Sequence, residues 1–163
     1  VYFVPSGSPK AAPLSVGAPF TLLIADSGLP SATKRLVGRV GAARRADPDR
    51  YDSVFERIGD LVREARGRIE AGDVENLGPL MDRNHALLAR LGVSSSALDS
   101  LVRAARKAGV EGAKLSGAGE GGNIVALVER DRLAAVSEAL TAAGAVRTVE
   151  TTVQATDAVH GLE

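Results

Sequence analysis

The stretch Lys114–Asn123, which reads KLSGAGEGGN, decides the fold because it joins two short apolar segments across a turn dense in glycine. The flanking segments, Gly112–Ser116 and Ile124–Val128, have the length and composition of β-strands. A tight strand–turn–strand connection makes the two strands pair in antiparallel fashion. The sequence therefore predicts an antiparallel sheet around this turn.

Two more strands and a set of helices surround this hairpin. Phe20–Ala25 is a short apolar run that predicts a buried strand, and Val146–Val153 alternates well enough for a last strand. The order is strand, helices, strand, strand, helix, strand. It predicts an α+β fold, a ferredoxin-like split β-α-β domain whose antiparallel sheet is covered by helices, with extra helices inserted.

Capping residues and glycines set the expected helix boundaries. We expect Ser31 to cap a helix that runs to about residue 43, and Asp47-Pro48 to begin the next. Asp73 is expected to cap a third helix, and Ser96 with Asp99 imitates a capping box for a fourth. The predicted helix ends are at Gly72, Gly92, Gly109 and, after the last helix, Gly144.

The turn matches two phosphate-binding motifs only in part. Gly117–Gly122 satisfies G-x-G-x-x-G, but the dinucleotide motif needs a helix directly after it, and a predicted strand follows here. Walker A fails because Asn123 and Ile124 stand where Lys and Ser or Thr are required. Four glycines in six residues still favour an anion site built from backbone amides. The alternative is a plain hairpin turn, which needs only one or two glycines.

The composition limits the possible functions. The 163 residues carry 20 basic and 20 acidic side chains, and only 3% are aromatic, which argues against nucleic-acid binding. There is no cysteine, so disulfides and thiolate metal sites are excluded. No apolar run is long enough to span a membrane, and we expect a cytoplasmic protein. The chain opens without methionine in a strand-like run, Val1–Val4, so we expect an N-terminal part to be missing.

Three segments together resemble the GHMP kinases, which are ATP-dependent small-molecule kinases. KLSGAGEGGN at 114–123 resembles their third motif, K-[IL]-[ST]-G-A-G-x-G-G. ADSGLPSATK at 25–34 resembles the mevalonate kinase segment A-D-[ST]-G-x-x-x-x-T-[KR], and NHALLARLGVS at 84–94 resembles N-x-x-L-L-x-x-L-G-V-S of the same kinases. The similarity runs from about residue 1 to 153 and is greatest to the C-terminal half of a mevalonate kinase.

The resemblance implies a domain organisation. Residues 1–19 are then a strand and crossing segment from a missing N-terminal half, with a loop over 5–19, and 20–155 are the GHMP kinase C-terminal domain. Residues 156–163 are a tail, whose end at Gly161–Glu163 is a candidate vector remnant. The family's main phosphate loop, P-x-x-x-G-L-G-S-[SG]-A, and its catalytic aspartate do not occur in this chain. We therefore expect the isolated chain to be inactive.

The resemblance also implies ligands and the residues that bind them. The activity is phosphoryl transfer from ATP to mevalonate with Mg²⁺, in isoprenoid precursor synthesis. The partners are small molecules, not nucleic acid or a membrane, and a homodimer is a candidate assembly. Thr33 and Lys34 begin a helix that faces the substrate cleft; the alternative is a first-turn threonine and a solvated lysine. The predicted phosphate-side residues are Ser116, Gly117, Ala118, Gly119, Gly121 and Gly122, with the charge of Lys114 nearby.

Glu120 departs from the family pattern, where glycine or another small residue is usual. A carboxylate beside a triphosphate is unfavourable unless it points away or meets a cation. Asp26 is expected to form a turn, and His85 to be structural. We assign no catalytic residue and no metal ligand, because Asp47 with Asp49, and Glu129 with Asp131, are explained by helix starts and by solvation.

Two alternatives to a mevalonate kinase remain open at this point. One is another GHMP kinase, acting on phosphomevalonate or homoserine. The other is a non-catalytic ferredoxin-like module that binds a small ligand. A P-x-x-x-G-L-G-S-S-A loop upstream of the chain would identify a kinase.

Overall fold

The computed structural model describes residues 1–6 and 8–156 of the chain. It begins with a two-stranded antiparallel hairpin, β1 (Tyr2–Ser6) and β2 (Ser8–Ala12). The loop predicted over 5–19 is therefore wrong in its first part, since β2 pairs with β1 from Ser8 onward. Proline-rich composition suggested a loop, but both strands of a two-stranded ribbon are edges, where proline is tolerated.

The main sheet has four strands, β3 (Phe20–Asp26), β4 (Gly112–Ser116), β5 (Asn123–Leu127) and β6 (Arg147–Val153). Their order across the sheet is β4-β5-β3-β6, and every neighbouring pair is antiparallel. The hairpin of β4 and β5 thus lies at one edge, and β3 separates β5 from β6. This is the split β-α-β arrangement that the sequence predicts, and the α+β fold class is confirmed.

Four helices lie between β3 and β4, and one lies between β5 and β6. They are α1 (Thr33–Ala46), α2 (Pro48–Ala71), α3 (Leu77–Arg90), α4 (Ser96–Lys107) and α5 (Leu133–Ala142). A short 3₁₀ turn at Arg130–Arg132 precedes α5. None of the described helices is both long and apolar enough to cross a membrane.

The helix caps agree with the sequence in part. The Asp47 side chain accepts a hydrogen bond from the Arg50 N–H in front of Pro48, and Gly72 ends α2 in a left-handed conformation, as predicted. The caps predicted at Ser31 and Asp73 are wrong: α1 and α3 have Ala32 and Asn76 at their N-cap positions, without a side-chain cap bond.

At α4 the capping residue is Ser95, whose hydroxyl accepts the Leu98 N–H, so the capping box predicted at Ser96 is displaced by one residue. Asp99 does not reach back to the cap. Its carboxylate instead accepts a hydrogen bond from the Ser94 hydroxyl at 2.5 Å.

The principal core lies between one face of the sheet and helices α4 and α5. Each of these helices puts an apolar stripe at helical spacing onto that face, while the strands contribute every second residue. The fully buried side chains include Leu98, Leu101, Val102, Leu115, Ile124, Val136 and Leu140.

The opposite face of the sheet is less completely covered. There the side chains of Phe20, Leu22 and Val125 line a cavity of about 520 Å³ whose other wall comes from α2, α3 and the N-terminal segment. Lys114 lies on this same face.

Candidate active site

The glycine turn lies at one end of the sheet, between β4 and β5. Ser116 is paired with Asn123 where the two strands meet the turn, and Asn123 is in turn paired with Asp26 at the end of β3. The chain that leaves β3 toward α1 therefore starts beside the turn. The Ser27 N–H donates to the Gly122 carbonyl at 2.9 Å and fixes this neighbourhood.

The inner side of the turn packs against backbone from two other segments. A Cβ on Gly119 would overlap the carbonyl oxygen of Val93, and a Cβ on Gly121 would overlap that of Leu29. The Ser31 hydroxyl donates to the Gly119 carbonyl at 2.8 Å. These two glycines are required by close packing within the protein, which the sequence motif alone could not distinguish from a requirement for ligand contact.

The outer side of the turn is open. Gly117 is exposed, and both Gly117 and Gly122 have positive φ angles, +93° and +78°, with no heavy atom within 4 Å of an added Cβ. Within residues 1–6 and 8–156, no hydrogen bond engages the N–H groups of Gly117 and Ala118 or the Ser116 hydroxyl. Two consecutive backbone donors and one hydroxyl are thus available to an anion on this side.

Lys114 lies two residues before Ser116 and lines the cavity on the open face of the sheet, not the turn itself. Burial in this apolar surrounding lowers the pKa of its ammonium group. The sequence-based expectation that Lys114 adds charge beside the turn is therefore replaced by a position on the cavity wall.

The first turn of α1 is next to the glycine turn. Thr33 and Lys34, the predicted substrate residues, begin this helix and are exposed. No side chain caps the helix, because its N-cap residue is Ala32, so N–H groups of the first turn remain free to meet an anion. In the described part of the chain no hydrogen bond joins Thr33 or Lys34 to the glycine turn.

The Glu120 side chain points away from the open side of the turn and pairs with cations. Both features reduce the electrostatic penalty of placing a carboxylate near a triphosphate. Its carboxylate contacts Arg39 and lies 3.4 Å from Nη2 of Arg35, both on α1. Hydrogen bonds from Arg39 foremost, with help from Arg35, hold the pKa of Glu120 below its usual range. Neither arginine belongs to a recognised motif, although their i, i+4 spacing places them on one helix face.

His85 is structural, as the sequence predicts. It is buried on α3, its Nδ1 accepts the Leu115 N–H at 3.3 Å, and its Nε2 lies 3.2 Å from the Asp99 carboxylate. Burial is the main cause that lowers its pKa. Since Nδ1 accepts a hydrogen bond, the neutral ring carries its proton on Nε2 and donates it to Asp99. The pair thus ties β4, the strand that leads into the turn, to α3 and α4.

The carboxylate of Asp26 has an ordinary structural role. Asp26 accepts the Gly28 N–H at 2.9 Å and forms a turn at the end of β3, as expected. Among the described residues, no group of three or more His, Asp or Glu side chains is placed to hold a metal ion.

A split β-α-β sheet with a glycine-rich turn in its hairpin is the arrangement expected from the resemblance to small-molecule kinases. The sequence profile described as "GHMP kinases C terminal" matches residues 63–146, which are 84 of the 163 residues. The chain belongs to this family.

Several relatives of the chain are mevalonate kinases. The chain is 39% identical over 107 residues to the mevalonate kinase of Aeropyrum pernix, covering 66% of this chain and 33% of that protein. It is 38% identical over 129 residues to the mevalonate kinase of Thermococcus gammatolerans, covering 76% of this chain and 38% of that one. The chain thus spans little more than a third of the length of these relatives.

A solved structure agrees with this relationship. The crystal structure of L. major mevalonate kinase in complex with R-mevalonate superposes with a TM-score of 0.89 at 30% identity. The match covers 94% of this chain and 48% of that protein. The similarity to mevalonate kinases expected from the three sequence segments is confirmed.

Proposed function

We propose that this chain is the C-terminal part of an ATP-dependent mevalonate kinase, which transfers the γ-phosphoryl group of ATP to the primary alcohol of mevalonate in the cytoplasm, for isoprenoid precursor synthesis. The observation that carries the proposal is the open side of the glycine turn. There the N–H groups of Gly117 and Ala118 have no acceptor among the described residues, next to an uncapped start of α1.

The phosphate side of the reaction is assigned to this turn. Phosphoryl transfer depends mainly on positioning and on stabilising the charge of the transferred group. The amides of Gly117 and Ala118, with the Ser116 hydroxyl, are donors of the required kind and need no reorientation of a long side chain. Gly122 keeps the outer surface free of side chains, while Gly119 and Gly121 hold the shape of the turn from within.

The substrate side is assigned to the first turn of α1. Thr33 and Lys34 are exposed there, and a helix N-terminus together with a lysine favours an anionic group such as a carboxylate. Mevalonate offers such a carboxylate at the opposite end from the reacting alcohol. Two walls, one for phosphate and one for the acceptor, then meet near Ser31, whose hydroxyl bonds the turn.

Mg²⁺, when bound with ATP, supplies bridging charge between phosphate oxygens. From the family resemblance we place the main phosphate loop and the catalytic aspartate outside this chain. The isolated 163-residue chain is accordingly expected to be inactive, and any homodimer remains to be measured by light scattering of the complete gene product.

The test is a coupled ATP-consumption assay on the complete gene product, with mevalonate, phosphomevalonate and homoserine as separate acceptors. We expect turnover with mevalonate and at most background with the other two. Turnover with phosphomevalonate or homoserine alone would assign another GHMP kinase activity. No turnover with any acceptor, in protein that is folded by circular dichroism, would refute the kinase proposal.

A further inference from the structure

Glu120 occupies a backbone position that suits glycine better. Its φ is +60°, and among the described residues it is the only one other than glycine with positive φ. A side chain with a Cβ is disfavoured in the left-handed region, so a glutamate there needs compensation from its contacts. The compensation lies in three segments that meet at this residue.

The contacts of Glu120 form a closed link between the glycine turn, α1 and the loop after α3. Its N–H donates to the Val93 carbonyl at 2.8 Å. Its carboxylate contacts Arg39, and the same guanidinium donates through Nη2 to the Gly92 carbonyl at 2.6 Å. The backbone and the side chain of Glu120 are therefore both anchored on neighbouring residues, Gly92 and Val93, with Arg39 as the bridge.

The contribution of Arg35 is smaller. Its side chain is 76% exposed against 53% for Arg39, while that of Glu120 is only 20% exposed. Exposed ion pairs stabilise proteins little, because water and salt screen them. Arg39, which is less exposed and also bonds the Gly92 carbonyl, is therefore the main partner of Glu120.

We propose that Glu120 is a positioning residue, which through Arg39 holds the open side of the glycine turn in register with the first turn of α1. This inference rests on the proposed function, since those two elements carry the phosphate-side and substrate-side residues. Glu120 itself touches no reacting group in this arrangement. It sets the distance between the glycine turn and the first turn of α1, which carry the residues that contact the phosphate and the substrate.

The first test is steady-state kinetics on the complete gene product. Glu120→Gln keeps the size of the side chain and removes its charge, and Arg39→Gln removes the bridge. We expect each to lower kcat roughly tenfold, with KM for both substrates changed less than twofold, because displacement of reacting groups affects the transition state more than binding. The double variant should lose no more than either single variant, since both break the same link.

A matched control is Asp52→Asn, which breaks another exposed ion pair with an arginine of α1, that of Arg44 and Asp52, where Nε and Oδ1 are 2.5 Å apart. We expect wild-type kcat from this control. Equal losses in the control and in Glu120→Gln, or additive losses in the double variant, would overturn the positioning role. If the wild-type protein itself turns over no substrate, the proposed function has failed, and the outcome for Glu120 is then decided by the second measurement.

The second measurement needs no activity. Hydrogen exchange reports on the Glu120 N–H bonded to Val93 and on the Gly122 N–H bonded to Leu29 at 2.9 Å. Glu120→Gln should raise exchange at both amides at least fivefold, without a change in the amides of α4. Unchanged exchange in Glu120→Gln would refute the link.

Discussion

The glycine turn allows a stringent test, because two of its glycines share a backbone conformation and differ in surroundings. Gly117 and Gly119 have φ angles of +93° and +101°. A Cβ on Gly117 would have no heavy atom within 4 Å, whereas a Cβ on Gly119 would overlap the carbonyl oxygen of Val93. The variants Gly117→Ala and Gly119→Ala therefore separate backbone strain from steric overlap.

The expected magnitudes follow from these two terms. A left-handed conformation costs a residue with a Cβ about 1–2 kcal/mol, which applies to both variants. Forcing an extra carbon into a packed site costs about 1–3 kcal/mol more, which applies to Gly119→Ala only. The gain from a less flexible unfolded chain, about 0.4–1 kcal/mol, is common to both and cancels in the difference. Gly119→Ala should thus be less stable than Gly117→Ala by about 1–3 kcal/mol.

The assay is urea unfolding followed by far-ultraviolet circular dichroism, with Gly122→Ala as an additional control at φ +78° in open space. Both open-side variants should lose similar amounts of unfolding free energy, and Gly119→Ala distinctly more. Equal destabilisation of Gly117→Ala and Gly119→Ala would refute the conclusion that packing against Val93 requires a glycine. Gly119→Val should in addition reduce turnover of the complete gene product, because the turn must shift to accept the larger side chain.

Three further predictions concern the support of the site and the fold. Burial lowers the pKa of His85 below its ordinary value near 6.5. The contribution of the neutral ring to stability is therefore full above pH 6.5 and is lost as the pH falls below 6.5, by at most about 1.4 kcal/mol per pH unit. This part of the pH dependence of urea unfolding should be absent in His85→Gln. Asp47→Ala should cost about 1 kcal/mol of unfolding free energy through loss of the α2 cap, and Asp49→Ala, in the first turn of the same helix without a cap bond, should cost less. Gly78→Ala should destabilise the protein because its Cβ would overlap backbone in front of β4, whereas Gly67→Ala, in open space on α2, should stabilise it by about 0.5–1 kcal/mol; thermal unfolding of both variants decides this.

Much of the sheet could be predicted because its signals are local. The β4–β5 hairpin is encoded by two apolar runs and a turn that only glycine-rich sequence can make, and Gly112–Ser116 matches the observed strand at both ends. The order of elements along the chain then left few ways to build a sheet. The β2 strand was missed because its sequence has no apolar alternation, and its pairing with β1 is the only evidence for it.

Two predicted helix starts are wrong because the expected capping side chains have other contacts. Ser31 lies one residue before the observed N-cap, Ala32, and its hydroxyl donates to the Gly119 carbonyl, 88 residues away in sequence. Asp73 is engaged by Arg68 and by the side-chain amide of Asn76 instead of capping α3. The contact of Ser31 is tertiary and cannot be inferred from local sequence, whereas those of Asp73 are with residues five before and three after it, so local side-chain competition explains that failure.

In the candidate site, too, the local sequence predicted the turn but not the tertiary contacts of its residues. The motif at 114–123 identified the turn but gave equal weight to all its glycines, although the structure turns Gly119 and Gly121 inward and leaves Gly117 and Gly122 open. Close contact with a ligand and close contact with another backbone both require a residue without a Cβ. The sequence shows that glycine is present but not which of the two contacts requires it. Glu120 distinguishes the two sides, because a charged side chain at φ +60° is tolerated only where contacts with neighbouring residues stabilise it. The residue that fits the motif least is therefore the one that shows which side of the turn faces the protein, and the anion-binding surface must be sought on the other side.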